Sequence, residues 1–274
     1  KKLKIKTLVL TDDPVAPAKN FCDEIIFSDY SNKQKIEEFI NKVDIVTYEF
    51  ENIPFEVLNF ISKTKKVLPS PEINRIVQNR NEEKKFVKNL GIKTTPWIFV
   101  NSKNDIKKNE DMLPGILKTC TLGYDGKGQR LINSLNEIDE TWFDLNDYIL
   151  EKKINLKQEI SVILTRFKND ECYIYEPIEN IHKNQILEKS KIPADIGEDI
   201  YKQSQNFAEE IAKKLNFVGT MCVEYFIDTK NNLMVNEIAP RVHNSGHLTL
   251  NAFELSQFDC HIRAVCGLKN LPNK

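Results

Sequence analysis

Three stretches of this 274-residue chain gather side chains that could do chemistry. The first is Lys118-Thr119-Cys120-Thr121-Leu122-Gly123-Tyr124-Asp125-Gly126-Lys127-Gly128-Gln129, which holds three of only nine glycines within six positions. Glycine lets a loop pass close to a phosphate and turn its N–H groups toward it. Lys118, ending a strand-like Ile116-Leu117, could meet the same anion. The spacing is neither Walker A, which needs Gly-Lys-Ser/Thr at the start of a helix, nor the dinucleotide fingerprint. A glycine-rich hairpin turn with a solvated lysine fits the same composition. The second stretch is a hairpin of Met221 to Ile227 and Leu233 to Ile238 around Asp228-Thr229-Lys230-Asn231-Asn232. A four-residue loop from Thr229 to Asn232 would set Glu224 opposite Glu237, with Cβ atoms about 5 Å apart. Two carboxylates that close repel unless a cation lies between them. With Asn236 beside them, these hard oxygen donors suit Mg²⁺ held jointly with nucleotide phosphates. A slipped register would leave two exposed strand carboxylates instead. The third stretch runs from Asn236 to His247 and places Arg241, His243, Asn244, Ser245 and His247 within seven residues. A loop this rich in donors suits a polar, phosphorylated ligand. Two signals are weaker. Glu49 and Glu51 close a strand at the end where open α/β sheets bind ligands, and alternation would turn them to one side. Glu151 and Glu159 flank a strand-turn segment, and their spacing alone reads as ordinary surface acids.

These residues need a frame. Thr7 to Leu10, Cys22 to Phe27, Asp44 to Phe50 and Lys66 to Leu68 read as strands. Between them, Ile36, Phe39, Ile40 and Val43 recur at helical spacing, as do Val57, Leu58 and Ile61 after Pro54. Such alternation predicts a parallel sheet with helices on both faces. A charged helix from about Gln78 to Leu90 stops at Gly91. Short strands then dominate from Ile92 to about Val162, and Ile200 to Leu215 is an amphipathic helix. The boundary falls near Ser70-Pro71, giving parts 1–70 and 71–274. Lys+Arg 39 against Asp+Glu 40 leaves a formal charge of -1, which argues against a broad basic surface for nucleic acid. No apolar run approaches the roughly 18 residues of a membrane span. The six cysteines are scattered, with no Cys-x-x-Cys pair and no tight clustering with histidine, so buried, reduced thiols are expected rather than a metal-thiolate site or disulfides.

In this order, the pieces resemble the N5-carboxyaminoimidazole ribonucleotide synthetase family, biotin-independent carboxylases of the ATP-grasp superfamily. Thr47-Tyr48-Glu49-Phe50-Glu51-Asn52, the Lys118 to Gln129 run, Pro177-Ile178-Glu179-Asn180-Ile181-His182 and Asn236 to His247 carry the likeness, with Ser256-Gln257-Phe258-Asp259 and His261-Ile262-Arg263-Ala264 completing it. The resemblance implies an α/β, Rossmann-like pre-ATP-grasp domain followed by an α+β ATP-grasp domain of two lobes, with an opening strand and a small C-terminal domain of the family absent. It implies that Arg80, Lys118, Gly123, Tyr124, Asp125, Gly126, Lys127, Gly128, Gln129, Glu151, Lys152, Lys153, Ile154, Glu159, His182, Asn236 and Glu237 surround ATP. Glu224 and Glu237 would hold magnesium. Glu49, Glu51, Arg241, His243, Asn244, Ser245 and His247 would line the ribonucleotide and carboxylation site, with Lys118, Arg241 and His243 catalytic. Bicarbonate, ATP and aminoimidazole ribonucleotide would be the substrates, in a cytoplasmic homodimer that engages neither nucleic acid nor membrane. The pattern departs from the family at Cys120, Thr121 and Leu122, where basic residues and another glycine are usual, and at Val242, usually proline. Another ATP-grasp ligase, such as formate-dependent glycinamide ribonucleotide transformylase, would share the metal pair but lack the Pro-Arg-x-His-Asn-Ser-Gly-His string, whereas a non-catalytic nucleotide-binding protein would draw on Cys120-Thr121-Leu122 and is opposed by the intact acid pair.

Overall fold

The computed structural model describes residues 3–123, 128–183 and 186–270. The first part alternates strand and helix: β1 (Leu8–Thr11), β2 (Glu24–Phe27), α1 (Lys33–Lys42), β3 (Ile45–Val46), α2 (Phe55–Ser62) and β4 (Lys66–Val67). β1 pairs with β2 and β3 with β4, both parallel, as βαβ alternation requires. Apolar spacing decides the helical faces: Ile36, Phe39 and Ile40 of α1 and Val57, Leu58 and Ile61 of α2 close one core with Ile26, Val46 and Val67. The strand expected over Asp44 to Phe50 shortens to Ile45–Val46, because its partner β4 runs only two residues before Pro69. A proline has no N–H to continue a ladder.

α3 (Pro71–Val77) and α4 (Arg80–Asn89) follow. The helix expected from Gln78 starts instead at Arg80, since the Asn79 side chain accepts from the N–H groups of Asn81 and Glu82 and caps a new helix. Gly91, at φ +73°, ends it in the left-handed region. A small lobe then forms from β5 (Trp97–Val100), α5 (Lys103–Lys107), β6 (Gly115–Thr119), β7 (Gln129–Ile132) and β8 (Tyr148–Lys152), in the antiparallel order β5-β8-β6-β7. Val100, Leu117, Ile132 and Leu150 are among its core residues.

The large lobe is built on β9 (Leu156–Arg166), β10 (Cys172–Ile174), β11 (Ile178–Lys183), β12 (Ile186–Lys191), α6 (Glu198–Lys214), β13 (Gly219–Asp228), β14 (Leu233–Ala239), α7 (Thr249–Ala252) and α8 (Gln257–Val265). Its sheet runs β12-β11-β9-β13-β14, with β10 also on β9. Strand structure thus continues well past Val162. β12 is polar along most of its length and half exposed, so it carries little of the apolar signal that marks a strand. α6 lays Ala208, Ile211 and Ala212 on one face of the sheet, together with Val162, Val223 and Val235. α8 opens with a reciprocal Ser256–Asp259 capping box and buries Cys260 and Ala264 against the opposite face. His261 of α8 ties the two parts of the molecule together. Its Nδ1 accepts the Thr220 N–H at 3.0 Å, which leaves the Nε2–H to donate to Thr47 Oγ1 at 2.8 Å. Among the described residues, no helix is long and apolar enough to cross a membrane.

Candidate active site

The elements converge on one cavity of about 1050 Å³. It is lined by residues of the loop after β3, α4, β6, β12, β13, β14 and the loop after β14. That volume suits a nucleotide together with a second small substrate.

At the back of the small lobe lies a buried charge cluster. Glu151, 2 % exposed, stands between Lys84 Nζ at 3.0 Å and Lys118 Nζ at 2.9 Å, while Thr95 Oγ1 donates to it at 3.3 Å. Burial alone would raise its pKa, but the two ammonium groups outweigh that and hold the carboxyl at about 2. The surface-acid reading of Glu151 is therefore overturned: β8 is a central strand, and its side chain there faces inward. One carboxylate facing two lysines leaves a net positive charge, and Lys118 opens onto the cavity.

The hairpin of β13 and β14 pairs Glu224 with Glu237, as the sequence suggested, but by a different route. Ile227 opposes Leu233 and the Asp228 N–H donates to the Asn232 carbonyl at 3.1 Å, so the register beside the turn is one residue off a direct Glu224–Glu237 ladder. A bulge opposite Glu224 and Tyr225 then takes up Asn236 and restores the expected partner for Glu224. Successive residues of a regular strand face opposite ways, yet here Asn236 and Glu237 both line the cavity. Arg80 Nη1 donates to Glu237 Oε2 at 2.9 Å, and Arg80 Nη2 donates to the Gly123 carbonyl at 2.8 Å. His243 Nε2 lies 3.0 Å from Glu224 Oε1. Both carboxylates thus already face cationic or hydrogen-bonding partners. Asn236 Oδ1 is buried with no partner. An orphaned oxygen beside two carboxylates fits an oxygen-ligated divalent cation. Glu83, fully enclosed next to this pair, accepts the Ile238 N–H at 2.6 Å, and burial reinforced by Glu237 pushes its carboxyl up to about 8.

The loop after β14 is pinned by Gln257, which is wholly buried, accepts from His243 N–H at 2.9 Å and donates to His243 O at 2.7 Å. Gly246 passes so close to Gln257 that a Cβ would sit 2.4 Å from its Oε1. Ser245 Oγ lies 2.9 Å from His243 Nδ1 and accepts from Ser161 Oγ at 2.8 Å. Burial disfavours charge on His243, but the Cys222 sulfur and the Glu224 carboxylate push its pKa well above the ordinary imidazole value. Arg241 Nε donates to Glu51, joining this loop to the first part of the chain, and His247 stacks on Phe258.

Lys118, Arg80, Gly123, Gln129, Glu159, His182, Glu224, Asn236, Glu237, Glu51, Arg241, His243, Asn244, Ser245 and His247 all line the cavity. His182 Nδ1 stands 2.7 Å from Glu159, which raises its pKa. Glu49 is exposed and does not line the cavity, because the strand that would have aligned it with Glu51 has already ended at Val46. Lys152, Lys153 and Ile154 cross from β8 to β9 with the two lysine side chains exposed, Lys152 Nζ donating to Asp111 O. Tyr124, Asp125, Gly126 and Lys127 lie outside the described residues. Gly128, at φ +72°, has no room for a Cβ, which would sit 2.6 Å from Thr119 Oγ1. Leu122 adopts φ +60°, a conformation that suits glycine far better than leucine. Sequence reasoning missed Lys84 and Glu83, two charges in an evidently solvated helix. It also missed the meeting of Cys222 with Glu224 and His243.

The ATP-grasp domain family matches residues 85–258, and the ribonucleotide synthetase preATP-grasp domain family matches residues 1–78. The N5-carboxyaminoimidazole ribonucleotide synthase of Bacillus subtilis is 40% identical over 262 residues, covering 93% of this chain and 69% of that protein. This chain belongs to the N5-carboxyaminoimidazole ribonucleotide synthase family. A crystal structure of the Staphylococcus aureus enzyme complexed with ADP superposes with a TM-score of 0.93 at 37% identity, over 99% of this chain and 73% of that one. The Aspergillus clavatus enzyme in complex with ADP and 5-aminoimidazole ribonucleotide gives 0.87 at 26% identity, over 98% and 72%. Family membership makes the chain an ATP-grasp ligase, with the pre-ATP-grasp and ATP-grasp domains that its motifs implied.

Proposed function

We propose that this chain carboxylates 5-aminoimidazole ribonucleotide with bicarbonate at the expense of ATP, releasing ADP and phosphate in de novo purine biosynthesis, and that the cavity residues divide the work as follows. The observation that carries the assignment of roles is the convergence of Lys118, the Glu224–Glu237 pair and the Arg241 to His247 loop on one cavity. Arg80, Lys118, the Gly123 to Gln129 loop, Glu151, the Lys152-Lys153-Ile154 crossover, Glu159, His182 and Asn236 surround ATP. Glu224 and Glu237 would hold Mg²⁺ with Asn236 Oδ1 as a further oxygen, and the ion would supply Lewis-acid stabilisation of phosphate oxygens.

A bicarbonate oxygen attacks the γ-phosphorus, the bond to the ADP oxygen breaks, and carboxyphosphate forms. Lys118 neutralises charge on the phosphates, and Glu151 fixes its position. The amine of the ribonucleotide then bonds the carboxyl carbon, phosphate leaves, and the nitrogen gives up a proton. Arg241 and His243 sit at this end of the cavity, where Arg241 can face the carboxyl oxygens and Glu51, Asn244, Ser245 and His247 can hold the ribonucleotide. Glu49, exposed and outside the cavity lining, is left out of that subsite. The boundary between the two domains is taken at Ser70-Pro71, where α3 begins and contributes Ile73 to the core of the large lobe. A cytoplasmic homodimer, implied by the resemblance, belongs to the same reading. The test is ADP release by the protein supplied with magnesium, ATP and bicarbonate, with and without aminoimidazole ribonucleotide. Strong stimulation is expected. Tight ATP binding without stimulated release would favour the non-catalytic alternative.

A further inference from the structure

Behind the carboxylate pair sits a set of donors that magnesium does not call for. Cys222 and Glu224 lie two residues apart on β13, so both project from the same face of the sheet. The loop after β14 folds His243 over that face. One ligand atom each from Cys222, Glu224 and His243 lies within 4.8 Å of the other two. Cys222 is fully buried, and the Glu224 and His243 side chains are each 14% exposed. This is therefore an enclosed cluster and not a group of solvated acids. Glu224 and His243 also line the cavity, which gives an ion a way in, with the Cys222 sulfur as the floor.

We infer that Cys222, Glu224 and His243 form a second cation site, selective for a thiophilic divalent ion such as Zn²⁺, whose filling inhibits the enzyme. The donor set is sulfur, nitrogen and oxygen, the mixture that zinc takes and magnesium refuses. Ligand atoms around a tetrahedral zinc stand about 3.5 Å apart given its bond lengths. The present spacing closes to that with side-chain adjustment of about 1 Å. The cluster also has the outer support that metal-bound histidines need, since Ser245 Oγ lies on the other ring nitrogen and is itself held by Ser161. As the metal binds, the thiol proton and the proton carried by the His243 imidazolium are both released to solvent, so the sulfur and the ring nitrogen each donate a lone pair, and the carboxylate supplies an oxygen. A fourth position is left facing the cavity. The inhibitory consequence rests on the reading of Glu224 as a magnesium ligand: an ion that draws Glu224 toward Cys222 takes it from Glu237.

Two measurements test this on the whole protein. Cobalt(II) added alone, without nucleotide, should give a thiolate-to-cobalt charge-transfer band that saturates at one equivalent and disappears on adding Zn²⁺. The band should be missing in Cys222→Ala. Loss of an outer-shell partner alone costs roughly 10–100-fold in metal affinity, so loss of this ligand should raise the Zn²⁺ concentration that halves ADP release by at least about 100-fold. Turnover of Cys222→Ala with magnesium should stay close to that of the parent. A band that survives in Cys222→Ala, or no band at all, would overturn the site whatever the enzyme's activity. A Cys222-dependent band with equal Zn²⁺ sensitivity in both proteins would overturn the inhibition and point back to the role given to Glu224.

Discussion

Replacing Glu151 with glutamine removes the carboxylate that stands between Lys84 and Lys118, and the structure sets limits on what that costs. The native carboxyl is held at about 2 against 4.5 for a free glutamate. That difference of about 2.5 units, at about 1.4 kcal/mol each, corresponds to about 3 kcal/mol of stability near neutrality. An upper limit comes from Lys84, which is fully enclosed and can shed its proton once unpaired. Neutralising a lysine of ordinary pKa 10.5 at pH 7 costs about 5 kcal/mol. Glu151→Gln should therefore lose about 3–5 kcal/mol, the usual range for breaking a buried pair. For a chain of this size, that lowers Tm by roughly 6–20 °C. The sign of the pH dependence follows from the depressed native pKa. The wild-type advantage is complete above about pH 4.5 and fades as pH falls toward 2, so the gap between the proteins should narrow only at the acid end. Lys84→Met leaves Glu151 paired one-to-one with Lys118 and should cost less. Thermal and urea unfolding of the three proteins from pH 7 to pH 3 checks this. A Glu151→Gln Tm within about 2 °C of wild type, or a gap that does not narrow in acid, would refute the buried-cluster reasoning.

Three further outcomes are expected. Glu237→Gln should cut ADP release by at least about 10²-fold while leaving the circular dichroism spectrum unchanged, and near-normal turnover would remove the magnesium assignment. Burial holds His261 neutral with a pKa of about 4 against 6.5, so its contribution to stability is present above pH 6.5 and falls away by about 3 kcal/mol as pH drops to 4. His261→Gln should flatten that limb of the stability profile. Leu122→Gly relieves about 1–2 kcal/mol of left-handed backbone strain, against about 0.4–1 kcal/mol of added chain entropy in the unfolded state. A small rise in Tm should follow, and a clear fall would show that the leucine side chain is needed where it stands.

The sequence alone determined what repeats locally. Apolar spacing at 3.6 and 2 residues marked α1, α2, α6 and the β13–β14 hairpin, because periodicity needs no partner to be visible. The glycine-rich and Arg-His-Asn-Ser strings carried the family for the same reason: their chemistry is contiguous. Even there, the register beside the turn is one residue off the direct ladder expected, and only the bulge at Asn236 brings Glu224 and Glu237 back into step. Tertiary structure decided whatever depends on distant neighbours. Glu151 reads as a surface acid until β8 takes a central place and Lys84 and Lys118 close on it. Arg80 is one more charge on a charged helix until α4 aims it at Glu237. Cys222 and His243 stand 21 positions apart, and only the turn after β14 brings them together beside Glu224. Burial and ion pairing are properties of the packed chain, so one-dimensional spacing could not show them.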